Sequence, residues 1–140
     1  MSAKMNPEVK ADWIEALVSG DYEQTTDGML CEVDSRGNKF CCLGVLCDLH
    51  AKKYGDEWGE VELPNRKRRL DYMGEWCGLP EQVMEWAGLE GFKEIRVCGV
   101  KQSLSHVELT DDVDEYRFLT SINDGGASFE SIAKIIKERL

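Results

Sequence analysis

The stretch Lys39-Phe40-Cys41-Cys42-Leu43-Gly44-Val45-Leu46-Cys47-Asp48-Leu49-His50 decides the fold. Its apolar residues recur at the three- and four-residue spacing of a helix, and they cover two faces rather than one. The first face carries Cys42, Val45, Leu46 and Leu49, and the second carries Leu43, Cys47, His50 and Tyr54. A helix that is apolar nearly all round is normally buried inside a domain. The stretch therefore predicts a buried central helix from about Cys42 to Tyr54, with Gly44 at a point where another backbone passes close by.

The composition is that of an ordinary globular domain. The chain has 140 residues, of which 42% are hydrophobic and 31% charged, a length and balance that fit one domain over residues 1–140. No run approaches about 18 consecutive apolar residues, so no membrane-spanning helix is predicted. Residues 1–7 lack the apolar core of a secretory signal. We therefore expect a cytoplasmic protein whose six cysteines are reduced thiols.

Punctuated helices and short strands surround the central stretch. Asn6 and Pro7 predict the start of a first helix that stops at Gly20, and Ser128 predicts the cap of a last helix. Further helices are predicted from Pro80 to Ala87 and after an N-cap at Thr110, the latter carrying Val113 and Tyr116. Alternating segments predict strands at residues 29–33, 39–41, 60–63, 95–100 and 105–109. The sequence thus predicts an α+β fold: a single compact domain with about five helices around a small antiparallel sheet.

Two segments of the chain form a recognisable pattern: Phe40-Cys41-Cys42-Leu43-Gly44-Val45-Leu46, and Asn123-Asp124-Gly125 followed by Ser128-Phe129 and Ile132-Ala133. A chain with both segments resembles small proteins encoded in bacteriophage genomes. The resemblance implies a protein made in the cytoplasm of an infected bacterium. It implies no activity and no site residues.

A thiol cluster is the first candidate site. It comprises Cys41, Cys42, Cys47 and His50. A structural zinc site needs four sulfur or nitrogen ligands, usually in closely spaced pairs, and the sequence contains no Cys-x2-Cys pair. For catalysis, Cys41 or Cys42 at a helix start would have a lowered pKa, with His50 or His106 as base. Small buried hydrophobes in a reduced core are the favoured interpretation, and a cysteine-dependent enzyme or zinc-binding protein is the alternative.

Acidic residues form the second candidate site. Asp111, Asp112, Asp114 and Glu115 lack the spacing of a calcium loop. The formal net charge of −10 argues against a general affinity for nucleic acid, and no recognition helix follows residues 123–133, so direct DNA binding is not expected. An acidic mimic that blocks a nucleic-acid-binding protein is a second alternative. Its carriers would be residues 111–115 with Asp56, Glu57, Glu60 and Glu62.

The basic run at residues 66–69 is the third candidate. It comprises Arg66, Lys67, Arg68 and Arg69, with Trp58, Tyr72 and Trp76 nearby in the sequence. Arginine forks match phosphate oxygens and aromatic rings stack on bases, so these residues predict an anion pocket for a nucleotide. The same pattern also fits a solvated charge run beside core aromatic residues.

The sequence favours a binding protein over an enzyme. No nucleophile in it can be assigned both a general base and a third group that orients this base. The predicted role, which rests on the phage resemblance, is to sequester or block a host component. A nucleotide signal and a protein of antiviral defence are the two candidate targets. No cofactor and no metal are predicted.

Overall fold

A computed structural model describes residues 5–140 of the chain. The predicted absence of a secretory signal partly concerns residues 1–4, which lie outside that range. The helices are α1 (Pro7–Val18), α2 (Cys42–Tyr54), α3 (Glu81–Ala87), α4 (Leu119–Asp124) and α5 (Phe129–Arg139). The strands are β1 (Glu23–Gln24), β2 (Cys31–Asp34), β3 (Gly37–Phe40), β4 (Gly59–Glu62), β5 (Arg68–Asp71), β6 (Arg96–Cys98), β7 (Val100–Ser103), β8 (His106–Leu109) and β9 (Tyr116–Phe118). The predicted α+β class with five helices is confirmed.

Three small sheets accompany these helices. The largest has five strands in the order β1-β3-β2-β5-β4, antiparallel except for the parallel pair of β1 and β3. The other two sheets pair β6 with β9 and β7 with β8. In the largest sheet, Cys31 pairs with Phe40 on one side and with Leu70 on the other. Strand β5 contains part of the basic run and was not predicted, because its residues do not alternate between apolar and polar.

Helix α2 is the buried central helix that the sequence predicts. Every residue from Cys42 to Cys47 is buried. A Cβ added to Gly44 would lie 2.8 Å from the carbonyl carbon of Leu30 and closer still to its oxygen, which confirms the predicted close approach of another backbone. Gly55, with φ of 68°, ends the helix in the left-handed conformation. Tyr54 departs from the prediction, since 54% of its surface is exposed.

The helix predicted after Thr110 is wrong. Residues 111–115 form turns, and Tyr116–Phe118 is strand β9, which pairs with β6. The side chains that favoured a helix start make local turn contacts instead: the backbone N–H of Asp114 donates to Asp112 Oδ1 at 3.0 Å. Such side-chain bonds compete with a helix for the same backbone groups. Helix α4 starts only at Leu119.

The segment predicted as one strand at residues 95–100 is divided between two sheets. Gly99 has φ of 70° and turns the chain between β6 and β7. Among residues 5–140, no helix is long and apolar enough to cross a lipid bilayer.

Candidate functional site

The thiols at the start of α2 are buried and neutral. Cys41 is the N-cap, and its sulfur accepts from the backbone N–H of Gly44 at 3.4 Å. Burial nevertheless raises the pKa of Cys41 to about 12, and burial also raises the pKa of Cys42. This is the opposite of the lowered pKa expected at a helix start. Burial outweighs the helix terminus here because neither thiolate would reach water.

The structure does not bring the predicted base to these thiols. His50 lies eight residues after Cys42 on the same helix, a displacement of about 12 Å along the axis. Its Nδ1 shares a hydrogen bond of 2.6 Å with the hydroxyl of Tyr72. His106 is exposed on β8 and pairs with Glu108. Within the described residues, no three His, Cys, Asp or Glu side chains form a group that could hold a metal ion.

A buried asparagine, Asn123, bonds to the first residue of α2, and the sequence analysis did not identify it. We call this the closed end of the helix. Asn123 Oδ1 accepts from the backbone N–H of Cys42 at 3.1 Å and from Gln24 Nε2 at 2.9 Å. Its Nδ2 donates to the carbonyl of Thr25 at 2.8 Å. Asn123 is part of the Asn-Asp-Gly pattern that carries the phage resemblance, so the structure gives this part of the pattern a role in packing.

The basic run is largely neutralised by carboxylates. Lys67 Nζ lies 3.7 Å from the buried carboxylate of Glu32. On β5, Arg68 pairs with Glu60 of the neighbouring strand, and Arg69 Nε donates to Asp71 Oδ1 at 2.8 Å. Three of the four cations that predicted an anion pocket therefore already have an acidic partner.

The aromatic residues predicted beside the run are divided between two environments. Tyr72 is fully buried and packs against Trp58, with ring centroids 5.1 Å apart. Trp58 Nε1 donates to Asp48 Oδ1 at 3.3 Å. Trp76 is half-exposed beneath the guanidinium of Arg69, 4.7 Å from the ring centroid. Arg66, Lys67 and Arg68 line one cavity of about 660 Å³, whereas Trp76 lies beside Arg69 only. The seven predicted residues do not line one pocket together.

The predicted acidic carriers lie on separate parts of the chain. Residues 111–115 form the turns before β9, whereas Glu60 and Glu62 lie on β4. Glu60 is already paired with Arg68. Asp56 follows the end of α2 and lines a groove beside Trp86.

An aromatic groove opens at the other end of α2. It has a volume of about 630 Å³ and is lined by His50, Tyr54, Asp56, Gln82, Glu85 and Trp86. The His50 ring lies 4.7 Å from that of Tyr54 and 5.0 Å from that of Trp86, between centroids. The Tyr72 hydroxyl bonded to His50 also donates to Asp56 Oδ2, at 3.4 Å. A hydrogen-bonded chain therefore holds the floor of this groove.

Trp86 also lines a second cavity of about 370 Å³ next to α1. Its charged lining residues are Asp12, Glu15, Asp21, Lys52 and Lys53. We call the surface formed by the two cavities the Trp86 face. In the sequence, only the part of the face that lies on α2 is contiguous, namely His50, Lys52, Lys53 and Tyr54. Its other residues come from α1, α3 and connecting loops.

The Trp86 face carries a net negative charge. Its carboxylates are those of Asp12, Glu15, Asp21, Asp56 and Glu85, and its lysines are Lys52 and Lys53. Lys52 Nζ is 3.2 Å from Asp48, which offsets part of its charge. Burial lowers the pKa of His50, although the nearby Asp56 opposes this, so the imidazole adds no positive charge at neutral pH. The face therefore combines accessible aromatic rings with an acidic rim.

The comparison with known proteins identifies a family and no activity. A family model described as Domain of unknown function (DUF8296) matches residues 5–140. No curated protein and no solved structure matches the chain.

Proposed function

The chain belongs to the DUF8296 family of domains of unknown function, and we propose that it is a phage-encoded, non-enzymatic binding protein that blocks a host protein through its Trp86 face. The observation that carries the proposal is the combination of two aromatic residues with an acidic rim on one surface. Tyr54 is half-exposed, and Trp86 lines both cavities of the face. The phage origin and the host target rest on the sequence resemblance described above.

The chemistry of the face defines the kind of partner. Tyrosine and tryptophan are enriched at protein interfaces and dominate their binding energy, because they bury a large area with few rotatable bonds. A rim of carboxylates attracts a positively charged partner and orients it during encounter. We therefore propose a host protein with a basic surface as the partner. Nucleic-acid-binding proteins belong to this class. The acidic-mimic alternative remains distinct, because Asp56 is the one predicted carrier that lines the Trp86 face.

The state of the thiols supports binding over cysteine catalysis. Cys41 and Cys42 are buried with raised pKa values, and His50 is held by Tyr72 far from both. A nucleophilic cysteine needs a populated thiolate and access to substrate. Neither requirement is met at the start of α2.

Capture from host lysate tests the proposal. The full chain is immobilised and exposed to lysate of the bacterium that the phage infects, together with Tyr54→Ala and Glu85→Lys variants. Tyr116→Ala is the matched control, because Tyr116 is 52% exposed, close to the 54% of Tyr54, and lies on β9 outside the Trp86 face. We expect one protein to be retained by the wild type and the control and lost from both variants.

Ionic strength provides the second readout. Because the rim attracts its partner electrostatically, the captured protein is expected to be released as salt rises from about 0.05 to 0.5 M. Retention of the same proteins by all four chains, or no specific retention at all, would contradict the proposal.

A further inference from the structure

A second basic region lines a cavity whose residues come from several separate segments of the sequence. The cavity has a volume of about 540 Å³ and lies between α1, the end of α3, β6 and the last turn of α5. Its charged lining residues are the cations Lys10, Arg96, Lys137 and Arg139 and the acids Glu90 and Glu138. A local excess of cationic side chains is unusual in a chain whose formal net charge is −10. Such a concentration of cations favours an anionic ligand.

The cations of this cavity differ from the basic run in their pairing. In the part of the chain that the structure describes, none of the ion pairs involves Lys10, Arg96 or Lys137. Arg139 donates to backbone carbonyls, to Cys98 at 3.0 Å and to Thr110 at 3.1 Å. These bonds fix the guanidinium without neutralising its charge. The positive charge at the cavity is therefore free to act on a ligand.

The remaining lining suits an organic anion better than a bare ion. The side chains of Met5, Leu89 and Ile95 are buried and form apolar walls. The guanidinium of Arg96 is held over the ring of Tyr116, 4.7 Å from its centroid, which restricts its rotamers before a ligand arrives. Cavities of roughly 300–1,000 Å³ are the usual size for small-molecule sites.

We propose that this cavity binds a small organic phosphate of nucleotide size. Arg96 and Lys137 contact the phosphate oxygens, and Arg139 supplies fixed positive charge behind them. The apolar walls receive the organic part of the ligand. The proposal goes beyond the protein-binding role of the Trp86 face and uses none of its residues. This cavity is separate from the anion pocket predicted at residues 66–69, which stays a prediction.

Calorimetry with named probes tests the proposal on the full chain. The probes are adenosine 5′-triphosphate, inorganic phosphate and uncharged adenosine. The test variant is Arg96→Ala with Lys137→Ala, and the control is Arg66→Ala with Arg68→Ala, which removes the same charge from the basic run. All four side chains are exposed, so both variants are expected to fold, and thermal melts check this.

We expect the triphosphate to bind the wild type, and we expect the test variant to weaken that binding at least about tenfold, because two charge-assisted contacts are lost. The control is expected to change affinity about twofold or less at 0.15 M salt, since distant charges are screened. Triphosphate binding that falls equally in both variants would overturn the proposal, as would adenosine binding as tight as that of the triphosphate. Absence of triphosphate binding at millimolar concentration would do the same.

The two proposals fail separately. The Arg96 and Lys137 variant leaves the Trp86 face intact, so it is expected to capture the same host protein as the wild type. In the wild type, capture of a host protein without triphosphate binding would contradict only the anion site, and triphosphate binding without capture would contradict only the Trp86 face.

Discussion

The two ends of α2 belong to one helix, but they have opposite surroundings. The first turn is closed by backbone: Leu30 passes against Gly44, Asn123 accepts from the Cys42 N–H, and the Trp13 indole donates to the Cys42 carbonyl at 2.9 Å. Near the other end, a chain of hydrogen bonds runs from His50 through Tyr72 to Asp56. Beyond that chain the helix opens onto the Trp86 face.

This difference shows that an apolar pattern alone does not say how firmly each turn of a helix is held. Both turns carry apolar side chains at helical spacing. The closed end is rigidly packed because other segments bring backbone and amide groups to it. The open end retains accessible rings, which leaves it available for binding. Substitutions at the two ends should therefore separate stability from recognition.

The largest effect is expected from Asn123→Ala at the closed end. The change removes the partner of three polar groups, on Gln24, Thr25 and Cys42. Buried polar groups without partners cost about 1–3 kcal/mol each, so we expect a loss of about 4 kcal/mol in the free energy of unfolding. Urea denaturation measures it. Asn38→Ala, at an exposed position on β3, is the control, and a loss below about 1 kcal/mol in Asn123→Ala would contradict the central role of Asn123.

The same substitution at both ends gives the next largest effect. Gly44→Ala forces a Cβ into the backbone of Leu30 and is expected to cost about 3 kcal/mol, despite the better helix propensity of alanine. Gly55→Ala meets no atom within 4 Å but keeps a positive φ, which costs about 1–2 kcal/mol. Thermal unfolding of the two variants measures the difference. Equal costs would mean that the two ends are held alike.

Tyr72→Phe tests the hydrogen-bonded chain at the open end. It leaves the buried Nδ1 of His50 without its partner, so we expect a loss of about 1–2 kcal/mol in the free energy of unfolding. Tyr54→Phe is the matched control, because it removes a hydroxyl from an exposed ring of the same groove. Equal stability of the two variants by urea denaturation would show that the His50–Tyr72 bond contributes little.

The smallest effect concerns pH and depends on His50. Because burial lowers the pKa of this imidazole in the folded state, the unfolded chain takes up a proton first, near its ordinary pKa of about 6.5. The His50 contribution is therefore fully present above that pH and is lost as the pH falls below it. The difference in unfolding free energy between wild type and His50→Gln should shrink between pH 7.5 and 5.5. A difference that stays constant over this range would contradict the prediction.

Local signals in the sequence predicted the elements that depend on local bonds. The caps at Asn6 and Ser128 begin helices where predicted, and the central helix ends at Tyr54 as predicted. The same reasoning wrongly predicted a helix at residues 111–115. Acidic side chains that favour a helix start can also accept hydrogen bonds from neighbouring N–H groups in turns.

The candidate sites were harder to predict because pairing between distant segments decides them. The neutralisation of Arg68 depends on the strand that lies beside it, since Glu60 reaches it only when β4 and β5 are paired. The basic cavity draws Lys10, Arg96 and Lys137 from three distant segments. No window of sequence contains all three, so only the fold reveals them as one group.

The bonds of Asn123 have a consequence for synthesis on the ribosome. The residues that it joins are separated from it by 81 to 99 positions. While the nascent chain has not yet emerged through Asn123, the Cys42 N–H and the amide of Gln24 have no native partner. Closing so long a loop is entropically costly and slows folding. We therefore expect the domain to complete its fold only after Asn123 has emerged from the ribosome, and until then the thiols around Cys42 are open to chaperones and to oxidation.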